Sequence, residues 1–235
     1  MDRAMRQGVL VDLDGTLVDT NYLHTLAWSR ALADDGAWAP MYAIHHLIGM
    51  GSEQLVGRLV GGPRPGALEA RKRRYGELIG EARVLPGAQA ALRAWHDAGL
   101  VVVVATSSPK EELKVMLELL DADAVIDAVT SADDVDQAKP HPDVFSAALE
   151  AGGLDPLTAV VVGDSVWDIE AARRAGLPAV GVESGGIAAA DLRAAGAADV
   201  VHDVTCVDVE LLQATFEASP GRHVTSGSSR TVGET

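Results

Sequence analysis

Short, continuous apolar runs recur along the chain at residues 8–13, 100–105, 125–129, 159–162 and 179–182, each followed by small polar residues and then by a helical repeat. Runs of that length without polar alternation suit strands buried on both faces of a parallel sheet. The intervening stretches 86–98, 110–120, 142–151 and 165–175 carry helical periodicity, and Gly99, Gly152 and Gly176 stand where helices would stop. Strands alternating with helices in this way predict an α/β fold built on a doubly wound parallel sheet.

Residues 21–84 break the rhythm. They contain no convincing strand, only helical periodicity interrupted by Gly49, Gly51 and the turn-rich stretch from Gly61 to Gly66. The expected division is therefore an α/β core from 1–20 and 85–218, and a helical insert at 21–84. A tail at 219–235, dominated by Gly, Ser, Thr and Arg, is expected to be disordered. There is no internal repeat.

With 235 residues, 48% hydrophobic, the chain can bury one sizeable core and support a smaller module. Its 34 acidic residues outnumber 19 basic ones, and a net charge of -15 repels nucleic acids and anionic membranes, so neither is expected as a partner. An anionic substrate would have to be held by a local cation, a lysine or clustered backbone N–H groups. Cys206 is the sole cysteine, which excludes an intrachain disulfide and suits a reducing, cytoplasmic setting. No stretch approaches the ~20 apolar residues of a membrane span, and the first residues lack the apolar core of a signal peptide.

Ligands of open parallel sheets bind beyond the carboxyl ends of the strands, which directs attention to the polar residues following each apolar run. These are Asp12 and Asp14, then Thr106 and Ser107, then Lys139 before a later helix, then Asp164 and Asp168. In an extended segment Asp12 and Asp14 share a side, and Gly15 lets the chain turn away. Gathering them with Asp164 concentrates negative charge that calls for a hard cation with oxygen ligands, Mg²⁺. With that ion and Lys139 present, the pocket attracts a phosphate dianion, which Thr106 and loop N–H groups can hold. Taken singly, Asp168, Ser107 and Thr106 read as cap or turn residues and Lys139 as a solvated lysine. Independent capping does not predict that all of them fall in order at strand ends.

The stretch Val11-Asp12-Leu13-Asp14-Gly15-Thr16-Leu17-Val18-Asp19-Thr20 resembles the first motif of the haloacid dehalogenase superfamily. Thr106 is similar to its second motif, Lys139 to its third, and Gly163-Asp164-Ser165-Val166-Trp167-Asp168 to its fourth, so the resemblance spans nearly all the chain except the tail. The insert resembles the helical cap of the subfamily that includes phosphoglycolate phosphatase and β-phosphoglucomutase. The resemblance implies a Rossmann-like core with that cap, Asp12 as nucleophile, and Asp14 as the acid that protonates the leaving oxygen and later activates water. It implies Mg²⁺ on the Asp12 carboxylate, the Asp14 carbonyl and Asp164, with Asp168 supporting the metal's ligands or Lys139. Thr106, Ser107 and Lys139 would hold the phosphoryl group. The dehalogenases place an aromatic residue where Asp14 stands, so dehalogenation is disfavoured.

Asp19 to His24, followed by Ala27-Trp28, resembles the start of the phosphoglucomutase cap, which sets His24 beside the active site and its substrate; a partly buried helix residue is the alternative. Leu47-Ile48-Gly49-Met50-Gly51-Ser52 is similar to the cap loop that selects substrate, but Ile48 and Ser52 occupy places where mutases carry lysine and arginine. The run Arg71-Lys72-Arg73-Arg74 reads as a solvated helix face, with steering of an anion as the alternative, and Trp38, Trp95 and Trp167 as packing residues. The expected activity is Mg²⁺-dependent hydrolysis of a small organic phosphate monoester, phosphoglycolate or a sugar phosphate, through an aspartyl phosphate. A phosphosugar mutase and a non-catalytic regulator binding a phosphorylated metabolite are the alternatives, and monomer and homodimer both stay open.

Overall fold

The computed structural model describes residues 6–218; the tail at 219–235 lies outside the described residues. Its strands are β1 (Gly8–Val11), β2 (Val18–Asp19), β3 (Arg83–Val84), β4 (Val101–Ala105), β5 (Ala128–Thr130), β6 (Ala159–Gly163), β7 (Ala179–Val182) and β8 (Asp199–Val201). Its α-helices are α1 (Asn21–Asp34), α2 (Met41–His45), α3 (Ser52–Val60), α4 (Pro65–Gly76), α5 (Ala88–Asp97), α6 (Lys110–Leu120), α7 (Asp143–Gly152), α8 (Val166–Arg174), α9 (Ala189–Ala195) and α10 (Val209–Glu217).

Six strands form one parallel sheet in the order β5-β4-β1-β6-β7-β8. The period of two along each apolar run decides which layer each side chain enters. Val9 and Val11, with Val102, Val104, Val160 and Val162, face a cluster closed by Leu92 and Trp95 of α5, Met116 of α6 and Phe216 of α10. Leu10, with Val103 and Val161, faces the opposite cluster, closed by Phe145 of α7, Ile169 of α8 and Leu192 of α9. A run that is apolar at every position is thus the signature of a strand covered on both faces.

The sequence signals miss the shortest strands. β8 is an edge strand of three residues, partly exposed, and is too short to show a period. β2 and β3 pair antiparallel through Val18↔Val84 and Asp19↔Arg83, so the second of them falls inside the stretch expected to lack strands. The fifth strand begins at Ala128, because residues Asp123–Val125 close a single 3₁₀ turn first. Gly152 is the last helical residue of α7 and presses its bare Cα face toward Val103, while the left-handed cap that stops the helix is Gly153, with φ 61.

Between β2 and β3 the chain forms α1 to α4, packed around Trp28, Leu32, Ile44, Leu55 and Val56 in an apolar cluster separate from the two sheet clusters. The β2–β3 pair brings the departing and returning strands of this insert side by side. Trp95 and Trp167 are buried and Trp38 is 78% exposed. Among the described residues no helix is long and apolar enough to cross a membrane.

Leu10 lies in the central strand with no exposed surface, so Leu10→Ala should cost about 2–5 kcal/mol of unfolding free energy. Chemical denaturation checks this, and a loss below about 1 kcal/mol would contradict the two-sided burial of β1.

Candidate active site

The strand order reverses between β1 and β6, since the chain proceeds from β1 outward to β4 and β5 and then returns to β6 on the other side. Neighbouring strands whose connections depart in opposite directions leave a crevice at their carboxyl ends. Asp12 leaves β1 and donates its N–H to the Val162 carbonyl at 2.9 Å, and Asp164 leaves β6 beside it. A cavity of about 350 Å³ lies over this edge. Asp12, Asp14, Ser107 and Lys139 line it from below, and His24, Arg71 and the loop from Ile48 to Ser52 line it from the insert.

Lys139 is 1% exposed, and its Nζ sits 2.6 Å from Asp12 Oδ1 and 2.7 Å from Asp168 Oδ1. Burial works against the ammonium, but the charges of Asp12 and Asp168 outweigh it and push the lysine above its ordinary range. Lys139 therefore stays cationic. Burial pushes the Asp12 carboxyl well up, the Asp168 charge adds to this, and Lys139 offsets only part of it.

The carboxylate oxygens of Asp12, Asp164 and Asp168 lie within 4.8 Å of one another, all buried. Asp164 is raised to about 7, by burial first and then by the charge of Asp168, with hydrogen bonds from Asn21 and Thr16 pulling the other way. Thr16 Oγ1 donates to its Oδ1 at 3.1 Å and Asn21 Nδ2 to its Oδ2 at 2.7 Å. One lysine cannot compensate three carboxylates, and an all-oxygen donor set matches a hard divalent cation. Gly15, with φ 73, and Gly185 approach Asp164 so closely that a Cβ on either would collide with its carboxylate. The residues present thus fit such an ion. Asp168 makes two contacts at once: Oδ2 closes a capping box with Ser165 at the start of α8 while Oδ1 faces Lys139.

Asp14 accepts from four side chains. Thr20 Oγ1 at 2.7 Å and His24 Nε2 at 3.0 Å meet Oδ1, and Ser108 Oγ at 2.7 Å and Thr106 Oγ1 at 3.1 Å meet Oδ2. Burial alone would raise this carboxyl, yet the hydrogen bonds from His24, Thr20 and Ser108 outweigh it and hold it below the usual carboxylate range. Thr106 is fully enclosed and its hydroxyl serves Asp14 and the Ser108 N–H. Ser107 and Ser108 of this loop line the cavity, and while Ser108 Oγ is spent on Asp14, the Ser107 Oγ has no partner among the described residues.

His24 is 5% exposed and lies against Asp14 rather than serving only as a packed helix residue. The basic run of α4 divides. Arg73 and Arg74 pair with Asp34 on the surface, as a solvated face would, whereas Arg71 is 9% exposed and turns inward to His24 and Glu112. Sequence reasoning also left Thr16, Thr20, Asn21 and Ser108 without roles. The first three stand in or directly after the first motif and Ser108 follows the second, so proximity to a motif was their available signal; Arg71 was marked only as one of four basic residues in a run, and Glu112 carried no signal.

The haloacid dehalogenase-like hydrolase family matches residues 7–176 of the chain. The phosphoglycolate phosphatase of Rhodospirillum rubrum is 34% identical over 215 residues, covering 85% of this chain and 88% of that protein. The plasmid phosphoglycolate phosphatase of Cupriavidus necator is 34% identical over 179 residues, covering 72% of this chain and 78% of that protein. The crystal structure of a hydrolase from Pseudomonas syringae superposes with a TM-score of 0.82 at 31% identity, over 92% of this chain and 100% of that one.

A divalent cation must displace the proton that Asp164 holds below about 7. Apparent cation affinity, read as the rise in Tm with added ion, should therefore climb by up to roughly tenfold per pH unit below that point and level off above it. The same raised carboxyl makes the ion-free protein lose stability as pH rises toward 7, so the two curves should diverge with increasing pH. Parallel curves would show that Asp164 is already ionised without the ion.

Proposed function

The chain belongs to the haloacid dehalogenase-like hydrolase family, and we propose that it is a Mg²⁺-dependent phosphatase cleaving a small organic phosphate monoester through an aspartyl phosphate on Asp12. The observation that carries this reading is the pairing of two unlike carboxyls at one cavity: Asp12 against Lys139 and the acidic cluster, Asp14 among four hydrogen-bond donors. Ester hydrolysis by a nucleophilic carboxylate needs one group that attacks and a second that moves protons, because a single carboxyl cannot be ionised and protonated at once.

In the first step an Asp12 oxygen forms a bond to phosphorus, the ester P–O bond breaks, and the leaving oxygen takes a proton delivered by Asp14, whose carboxyl, ionised in the resting site, must first take up that proton from solvent. In the second, Asp14 accepts a proton from water, the resulting hydroxide attacks phosphorus, and the Asp12 carboxylate leaves as inorganic phosphate forms. Lys139 holds the Asp12 carboxylate in place and offsets charge on the phosphoryl group. The orphan Ser107 hydroxyl and the loop N–H groups offer donors to the phosphoryl oxygens. Mg²⁺, held by Asp12, the Asp14 carbonyl and Asp164, would neutralise charge on the transferring group and on the attacking carboxylate. The insert over the cavity keeps bulk water from the first step.

Phosphoglycolate is the leading substrate, because the two relatives described above carry that name and the cavity lining includes the cationic side chain of Lys72 to meet an anionic leaving group. Ile48 and Ser52 in the cap loop supply no second phosphate grip, which favours hydrolysis over mutase chemistry.

Phosphate release from phosphoglycolate, hexose phosphates and an aryl phosphate, with and without Mg²⁺, tests the reading. Asp12→Asn should lower Mg²⁺-dependent turnover by on the order of 10⁴ or more, since a displaced nucleophile leaves only binding and electrostatics. Retained turnover in that variant would overturn the assignment of Asp12. Isomerisation of a hexose 1-phosphate without net phosphate release would overturn the phosphatase reading.

A further inference from the structure

Asp14 is the end of a chain of polar contacts that leaves the core, crosses the insert and returns to the core. Its Oδ1 meets His24 Nε2 on α1 at 3.0 Å, and His24 Nδ1 meets Arg71 Nη2 on α4 at 2.9 Å. Arg71 in turn forks onto Glu112 in the first turn of α6, with Nη1 on Oε1 and Nη2 on Oε2 at 3.2 Å. A guanidinium only donates, so Nδ1 is the acceptor and the imidazole proton lies on Nε2, facing Asp14. The Tyr75 ring backs this relay, stacked on His24 with centroids 4.0 Å apart and lying 4.8 Å from the Arg71 guanidinium carbon.

The side chains of Arg71 and Glu112 are 11% and 14% exposed. A pair so far withdrawn from water gains little net stability, because desolvation cancels much of the attraction, but its fork geometry fixes orientation. Glu112 is itself part of neither the cavity lining nor the acidic cluster, and its neighbour Glu111 faces solvent.

We infer that Glu112 is a positioning residue: through Arg71 and His24 it orients the Asp14 carboxyl, and it does so only when α4 of the insert is seated on α6 of the core. The relay makes readiness of the proton-transferring group conditional on closure of the insert. This inference rests on the phosphatase reading above.

The test compares kcat/KM for an alkyl ester, phosphoglycolate, with that for p-nitrophenyl phosphate, both with Mg²⁺. This parameter follows phosphoryl transfer to Asp12 and excludes the later hydrolysis. An alkoxide needs the proton from Asp14 and a nitrophenolate leaves without it. Glu112→Gln should lower the alkyl-ester value about tenfold or more and the aryl-ester value less than about threefold, and Glu112→Asp should recover part of the difference. Equal losses on both esters, or none, would overturn the positioning role. A second readout needs no turnover: ¹⁵N spectra of the wild-type imidazole should place the His24 proton on Nε2, and a proton on Nδ1 would overturn the relay even if Glu112→Gln failed to fold. Absence of wild-type turnover on both esters would overturn the phosphatase reading instead, leaving the imidazole spectra to decide the relay.

Discussion

Three carboxylates, those of Asp12, Asp164 and Asp168, are buried within reach of one another, and their mutual repulsion is the constraint around which the site is built. In a poorly screening interior such a cluster is tolerable only if cations, donors or protons answer it. Lys139 answers two of the three from a position with almost no access to water. Asp164, which has hydrogen bonds but no direct ion pair, is left raised to about 7 by burial and its neighbours. That residual imbalance is what makes the crevice attractive to a divalent ion, and the ion's charge is what would make it attractive to a phosphate ester in a protein of net charge -15.

The sheet supplies the rigidity that this arrangement needs. Asp12 and Asp164 leave adjacent central strands whose side chains are locked on both faces, so their separation is set by backbone hydrogen bonding between β1 and β6. Capping performs a parallel service at α8, where Ser165 and Asp168 close the helix start and thereby fix the carboxylate that faces Lys139. The insert contributes the other half of the site. Its loop reaches the core through the Gly51 N–H on the Lys139 carbonyl at 3.3 Å, His45 Nε2 lies 2.9 Å from the Gly185 carbonyl, and Trp167 Nε1 donates to the His46 carbonyl at 3.2 Å. These contacts, together with Arg71 on Glu112, tie opposite sides of the insert to the core around the cavity.

The core strands could be read from the chain because burial on both faces imposes apolar character at every position, a demand visible over four or five consecutive residues. Aspartates directly after such runs, and a lysine before a helix, were likewise visible, because residue type at a strand end is local information. The pairs β2–β3 and the edge strand β8 escaped because two or three residues carry no period. Arg71 escaped for a different reason. Four consecutive basic residues on a helix point in different directions, and only the packing of α4 against α1 determines which of them turns inward.

By itself, then, the amino-acid sequence determined the α/β alternation, the helical character of the insert, and the acids, hydroxyls and lysine offered at the strand ends, since each depends on a residue and its near neighbours. Tertiary structure decided that Ser107 rather than Thr106 opens onto the cavity, that Asp168 serves a helix start and a lysine at once, and that Asp14 is tied to Glu112 through two helices of the insert. Those outcomes are distances between residues far apart in the chain, and such distances are set by how packed layers meet, which no local pattern encodes.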